Sequence, residues 1–214
     1  LDKIRNYFGD SLPIIADANS SYTLNQSSKL KELDPFKLLM IEQPLGWTDL
    51  TQHAKLKTHI DTPICLDESI LSFENAQSAI DINATDIINI KPGRVGGLSE
   101  SLKIHTLCQK HNIPVWCGGM LETGIGRAYN IALSSLDQFT HSGDPSPSNR
   151  YWKTDIVSPE WNMDQDGHLT VPHTAGLGVD VNLDMIESIT IRKQVIDNKS
   201  DDTKQNTKIS SKTI

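Results

Sequence analysis

Short apolar runs recur along the chain at an almost constant interval. Residues 13–16 (PIIA), 38–41 (LLMI), 63–66 (PICL), 86–90 (DIINI) and 114–117 (PVWC) are each followed by a stretch with helical periodicity. The pattern predicts strands at those five runs and helices over 27–33, 49–59, 73–82, 98–111 and 125–136, with 139–141 a candidate sixth strand. Unbroken apolar runs of this length suit strands covered on both faces of a parallel sheet. One strand plus one helix takes about 25 residues, the unit of a (β/α)₈ barrel, whose eight units take roughly 250. Six such units are counted here. The chain opens with Leu1, Ile4 and Phe8 on one helical face, closed by Gly9 and Asp10. The expected fold class is therefore α/β: a TIM-type (β/α) barrel, N-terminally truncated, with about six of eight units. On this reading the chain is the C-terminal part of a longer protein or a truncated gene product.

Composition narrows the function classes. The chain has 214 residues, 37% hydrophobic and 22% charged, enough apolar surface for a packed core. Its net charge of −7 argues against a non-specific nucleic-acid binder and against an anionic-membrane binder. No apolar run approaches the roughly 20 residues that span a bilayer, and residues 1–10 carry no secretory leader pattern. Cys65, Cys108 and Cys117 are an odd number without metal-type spacing. They read as buried, reduced thiols of a cytoplasmic protein. From residue 192 onward only Val195, Ile196, Ile209 and Ile214 are large and apolar. Residues 1–191 are expected to form the partial barrel domain and 192–214 a polar, disordered tail.

Each strand is followed at once by a charged residue. Asp17 follows IIA, Glu42 follows LLMI, Asp67 follows ICL and Lys91 follows IINI, at separations of 25, 25 and 24. In a barrel, such positions lie together at the C-terminal rim, where active sites are built. With 27 acids in 214 residues, three fixed positions would all be acidic by chance about 0.002 of the time. Three neighbouring carboxylates repel one another unless a cation sits between them, and an all-oxygen set suits Mg²⁺ (or Mn²⁺). The alternative is helix N-capping, for which Asp is well suited. Glu42, a poor cap followed by Gln43-Pro44, fits that alternative badly. Lys91, on the adjoining strand, stands as a base or an electrostatic partner.

The segments Asp17-Ala18-Asn19, Glu42-Gln43-Pro44, Leu66-Asp67-Glu68-Ser69 and Asn89-Ile90-Lys91-Pro92 resemble the enolase superfamily, muconate-lactonizing subgroup. Residues 118–128 (GGMLETGIGRA), 147–152 (PSNRYW) and 176–179 (GLGV) are similar to its o-succinylbenzoate synthase and N-acylamino acid racemase branch. The likeness runs over about residues 1–187.

That resemblance implies Asp17, Glu42 and Asp67 as ligands of one Mg²⁺ that stabilises the enediolate formed when a carboxylate substrate loses its α-proton. It implies Lys91 as a catalytic lysine, Asn19 and Glu68 as neighbours of the ligands, and Gly118, Gly119, Met120 and Leu121 as a loop against the substrate. The family's other lysine pair, Lys-x-Lys on a strand, has no counterpart in the chain. Lys29-Leu30-Lys31 and Lys55-Leu56-Lys57 fall in predicted helices as solvated surface. The family's capping domain is also absent, so little or no turnover is expected of the chain alone.

Three functions follow. The first is a Mg-dependent dehydratase (a lyase) of menaquinone biosynthesis acting on a small-molecule carboxylate, in an enzyme that is cytoplasmic and has no nucleic-acid or membrane partner. The second is an N-acylamino acid racemase on the same site. The third is a truncated, non-catalytic remnant. A homo-oligomeric state is left open. Gly93–Gly97 and Gly124–Gly126 read as turn glycines, Trp47 as packing, and His141 as a residue that ends a strand near the site.

Overall fold

Five of the apolar runs become strands, each shorter than its run. In the computed structural model, which describes residues 1–195, these are β1 (Ile15–Asp17), β2 (Met40–Glu42), β3 (Ile64–Leu66), β4 (Ile87–Asn89) and β5 (Val115–Trp116). Three runs open on proline (Pro13, Pro63 and Pro114), which has no N–H to donate to a ladder. Proline still supplies a carbonyl. Pro63 accepts from the Ile41 N–H at 2.8 Å and Pro114 from the Ile88 N–H at 3.2 Å.

The strands form one sheet in the order β1-β2-β3-β4-β5, and every neighbouring pair is parallel. Between them run α2 (Ser27–Lys31), α3 (Leu50–Leu56), α4 (Phe73–Asp81), α5 (Pro92–Val95) and α6 (Leu98–Lys110), after an opening helix α1 (Asp2–Phe8). α7 (Gly124–Ser134) follows β5. Consecutive parallel order with a helical crossover at each step is the winding of a barrel wall.

The alternation of strand side chains separates two cores. Ile41, Ile64, Leu66, Ile88 and Val115 face outward and pack with Leu30, Leu56, Ala76, Ala79, Ile104 and Leu107 of the helices. Met40, Cys65, Ile87 and Trp116, with Ile15 beside them, form a second cluster on the inner face. The Trp116 indole N–H donates to Cys65 Sγ at 3.2 Å within that cluster. All three cysteines are free and buried, as composition predicts.

Local signals place the helix ends. The Asp49 side chain caps α3 by accepting from the Gln52 N–H at 2.8 Å, and Ser72 caps α4 through the Asn75 N–H. α4 and α6 stop by the same device. Asn83 (φ 54°) and Asn112 (φ 55°) turn left-handed just beyond them. The next residues then bond back, from the Ala84 N–H to the Ala79 carbonyl at 2.8 Å and from the Ile113 N–H to the Cys108 carbonyl at 2.9 Å.

The sixth strand is not formed. Phe139 makes a single parallel bridge to Val115, and the Asp144 N–H then bonds the Cys117 carbonyl at 2.9 Å. From 139 to 144 the chain advances five residues where β5 advances two, so residues 140–143 bulge out of the ladder. A small lobe that periodicity does not reveal follows. β6 (Val157–Ser158) and β7 (Asp180–Val181) pair antiparallel. Val157 and Trp161 pack there against Ala128 and Ile131 of α7. α8 (Leu183–Ile189) comes next, capped by Asn182. The tail expected over 192–214 lies outside the described residues from Ile196 onward. Among the described residues no helix is long and apolar enough to cross a membrane.

Candidate active site

The register decides what the strand-end charges can do together. Asp17 pairs directly with Glu42. Glu42 does not pair with Asp67; it sits opposite Cys65, and Asp67 lies two residues further along. Leu66 pairs with Ile88, which sets Asp67 beside Asn89 and Lys91 two residues beyond. The equal sequence spacings therefore do not put all four groups at one level. The ladder is flush at the first pair and steps by two at each of the next. A step of two keeps every side chain on the same face and gives barrel strands their tilt. Asp17, Glu42, Asp67 and Lys91 thus share the inner face with Asn89 and Gly118.

Their environments differ. Glu42 and Asp67 are buried, whereas Asp17, on a strand with one hydrogen-bonded neighbour, is exposed. The Asp17 Oδ1 accepts from the Asn19 N–H at 2.9 Å, and Asn19 takes φ 43° to reach it. Asp67 carries two cations. Lys91 Nζ donates to its Oδ2 at 2.8 Å, and the Arg94 guanidinium donates to its Oδ1. Arg94 also donates to the Ile70 carbonyl at 2.8 Å and to the Asn89 carbonyl, and burial lowers its pKa to about 10. Among the described residues Glu42 has no cationic partner. It accepts from Asn89 Nδ2 at 2.7 Å. Burial, and then the charges of Asp17 and Glu68, outweigh that bond and the pull of Lys91 and push its pKa up to about 7.

Gln43 joins β2 to the turn after β3. Fully buried and left-handed at φ 38°, it accepts from the Asp67 and Ser69 N–H groups at 3.0 and 3.2 Å. It donates to the Leu45 carbonyl and to Ser69 Oγ at 3.1 and 2.7 Å. Four bonds from one amide hold the backbone of Asp67 against the end of Glu42's strand. His53 pins the following loop: its Nε2 accepts from the Leu45 N–H at 3.2 Å, while Nδ1 bonds the Asp49 carbonyl.

Of the other expected residues, Glu68 has a buried Oε2 with no hydrogen-bond partner among the described residues. The Gly118 N–H donates to Asn89 Oδ1 at 2.8 Å. Gly119 lies against the chain at Asp144, where a Cβ would meet the Asp144 carbonyl at 2.2 Å. Met120 and Leu121 project into solvent, as does Trp47, which packs less than expected. His141 is half-buried within the bulge, and burial lowers its pKa. Gly96 (φ 99°) and Gly97 (φ 106°) are turn glycines as expected. Gly124 is not, because it opens α7 and is small to admit Val157 Cγ2, 2.1 Å from where its Cβ would be. Periodicity alone overlooks Gln43, Asn89 and Arg94. Asn89 was findable, since it stands two residues before Lys91 and so on the same face of the strand.

The donors present fit a hard divalent cation. They are all oxygens, Glu42 is under acidic repulsion, and Glu68 Oε2 is a buried acceptor without a donor. Among the described residues, the ligand atoms that all close to within 4.8 Å of one another belong to Asp164, Asp166 and His168 rather than to the strand-end trio. Those three are exposed on a turn, where Asp164 Oδ1 accepts from the Asp166 and His168 N–H groups at 3.0 and 2.8 Å.

The sequence matches the family described as Enolase C-terminal domain-like over residues 1–185. It is 54% identical to an o-succinylbenzoate synthase of Bacillus subtilis (strain 168) over 192 residues, which cover 90% of this chain and 51% of that protein. It is 51% identical to an N-succinylamino acid racemase of Amycolatopsis sp over 190 residues, covering 89% of this chain and 51% of that one. The fold superposes on a dipeptide epimerase from Cytophaga hutchinsonii complexed with Mg and a dipeptide. The TM-score is 0.78 at 26% identity, covering 87% of this chain and 51% of that one. The chain spans about half the length of the curated relatives it matches.

Proposed function

The chain belongs to the enolase C-terminal domain-like family, and on that premise we propose that it forms the cation-binding rim and one lysine of a dehydratase of the o-succinylbenzoate synthase kind. The observation that carries this reading is a single inner face on which Asp17, Glu42 and Asp67 stand at successive strand ends with Lys91 bonded to Asp67.

Asp17, Glu42 and Asp67 would hold Mg²⁺ or Mn²⁺. When bound, the cation supplies positive charge against the negative charge that develops as a proton α to a carboxylate is removed. The chain's own groups prepare that event. Arg94 and Lys91 each donate to one oxygen of the buried Asp67 carboxylate and so compensate its charge. Lys91 holds its ammonium at 2.8 Å from that carboxylate, placed beside the developing anion as an electrostatic partner. Gly118, lacking a side chain, brings the loop backbone against the Lys91 stem. The inner cluster of Met40, Cys65, Ile87 and Trp116 closes the floor beneath and excludes water.

The substrate class is a small carboxylate, in this reading 2-succinyl-6-hydroxy-2,4-cyclohexadiene-1-carboxylate, in menaquinone biosynthesis. Calorimetric titration of the chain with Mg²⁺ and Mn²⁺, with Asp17→Asn, Glu42→Gln and Asp67→Asn beside it, tests the ligand set. Loss of binding in all three supports it. Binding untouched by all three, or abolished only by Asp164→Asn, refutes it. Formation of o-succinylbenzoate, by the chain and by a protein of the relatives' full length that contains it, tests the reaction. The likeness to an N-succinylamino acid racemase favours a second reading on the same face. There Lys91 acts as a base, and exchange of the α-proton of an N-succinyl amino acid in D₂O is its signature. Cation binding without either activity in the longer protein would leave the non-catalytic reading.

A further inference from the structure

Asn89 is fully buried on the inner face of β4, between Ile87 and Lys91. Its carboxamide spans two parts of the site. Nδ2 donates to Glu42 Oε1 at 2.7 Å, and Oδ1 accepts from the Gly118 N–H at 2.8 Å. The orientation of that amide is not free. A backbone N–H can only donate, so it must face the amide oxygen, and the NH₂ group is thereby turned toward Glu42. An Asn rotated by half a turn would set N–H against N–H and oxygen against carboxylate. The contact is also tight. A Cβ on Gly118 would lie 2.5 Å from Asn89 Nδ2 and 2.5 Å from Lys91 Cε. Loop backbone, amide and lysine stem are therefore in close contact. Beyond Gly118 the side chains of Met120 and Leu121 are exposed.

We propose that Asn89 is a positioning residue that couples a cation held by the strand-end carboxylates to the order of the loop at 118–121. The inference rests on the cation reading of Asp17, Glu42 and Asp67. A cation that fixes the Glu42 carboxylate fixes the amide bonded to it, and the amide fixes Gly118. By linkage, whatever settles on the loop changes cation affinity by the same factor. The device transmits occupancy of the rim to the segment of β5's loop that lies nearest Lys91. It does so without a charge of its own, so it adds no repulsion to the acidic set.

The test compares the chain with Asn89→Leu, which keeps the branching of the side chain and removes both bonds, and with Asn89→Ser, which is too short to reach Glu42. Mn²⁺ affinity is read by electron paramagnetic resonance. Exchange of the amides at 117–121 is followed by mass spectrometry with and without saturating Mg²⁺. In the unsubstituted chain Mg²⁺ should slow exchange at Gly118. In the variants Mn²⁺ should bind about tenfold more weakly, the lower end of what losing a partner of a metal ligand costs. Their 117–121 segment should exchange fast and no longer respond to Mg²⁺. Variants that melt earlier yet keep full Mn²⁺ affinity and the Mg²⁺-dependent protection would show Asn89 to be packing alone and would overturn the proposal. If neither variant folds, the unsubstituted chain decides, because protection at Gly118 that ignores saturating Mg²⁺ refutes the coupling. A chain that binds neither cation overturns the ligand assignment itself, a different failure with a different signature.

Discussion

Gly118→Ala puts one methyl group where the site has no room. The new Cβ would stand 2.5 Å from Asn89 Nδ2, 2.5 Å from Lys91 Cε and 3.1 Å from Asn89 Oδ1. Asn89 is bonded at both ends and wholly buried, so it cannot retreat. Lys91 is the far end of a flexible stem and can. A lysine shift removes one of the two close contacts and leaves the one with Asn89, so the cost is overpacking of about 1–3 kcal/mol. It stays below the roughly 3–5 kcal/mol for stripping one partner from a buried ion pair, because Asp67 keeps Arg94. For a domain of this size about 2–4 °C accompanies each kcal/mol, so the melting temperature should fall by about 2–12 °C. Urea denaturation should show a lower midpoint at unchanged m-value. The assignment of cause is checked by a cycle with Lys91→Ala. If Lys91 is what the methyl group hits, the Gly118→Ala cost shrinks in that background. Gly119→Ala is the internal standard, since its Cβ would meet a backbone atom, the Asp144 carbonyl, at 2.2 Å, and it should destabilise more. A Gly118→Ala protein as stable as the unsubstituted chain, or a cost indifferent to Lys91, would refute the reasoning.

Cation affinity should rise with pH through about 7, because the carboxylate form of Glu42 is the ligand and its pKa is raised to about 7; at pH 6 calorimetry should give about one-tenth of the limiting affinity. For the cation-free chain the sign reverses. A carboxyl raised in the folded state contributes stability that is full below about 4.5 and is lost as pH rises through about 7, so chemical denaturation should show that contribution declining across this window. Gln43→Leu leaves the buried N–H groups of Asp67 and Ser69 without acceptors; it should cost about 2–4 kcal/mol in urea denaturation and weaken Mn²⁺ binding as well. Lys57→Ala removes donations to Asn83 Oδ1, the Thr85 carbonyl and Asp86 Oδ1 far from the rim; it should cost about 1–2 kcal/mol and leave cation affinity unchanged. The three thiols should resist a disulfide reagent in the native state and all react in denaturant, since Cys108 and Cys117 are pushed up to about 12 by burial.

What the sequence exposed and what it hid divide along a physical line. The strands announced themselves because both faces of a barrel wall are apolar, so four or five consecutive residues had to be large. Helices α4 and α6 did so through the helical periodicity of their apolar residues. The sixth strand failed because its length is set against β5, and no local propensity records that the segment 140–143 is longer than the ladder can pair. The lobe built on β6 and β7 escaped for a related reason. Its strands are two residues long, and their partner is α7, distant in sequence.

The site shows the same division one level down. Charge type and spacing placed Asp17, Glu42, Asp67 and Lys91 on one face, since a ladder that steps by zero or two residues preserves the parity of side chains. Which acid meets which partner depends on the size of the step, and that was not legible. The step moves Asp67 away from Glu42 and toward Lys91 and Arg94, leaving Glu42 to an uncharged amide. The three carboxylates are therefore not equivalent. Asp67 is compensated by two cations, Asp17 by solvent, and Glu42 by neither. An entering cation relieves Glu42 most and must compete for Asp67, so Glu42→Gln should cost more cation affinity than Asp67→Asn. Titrating both variants with Mn²⁺ settles the order, and the reverse ranking would mean that the two-residue step does not set the electrostatics of the rim.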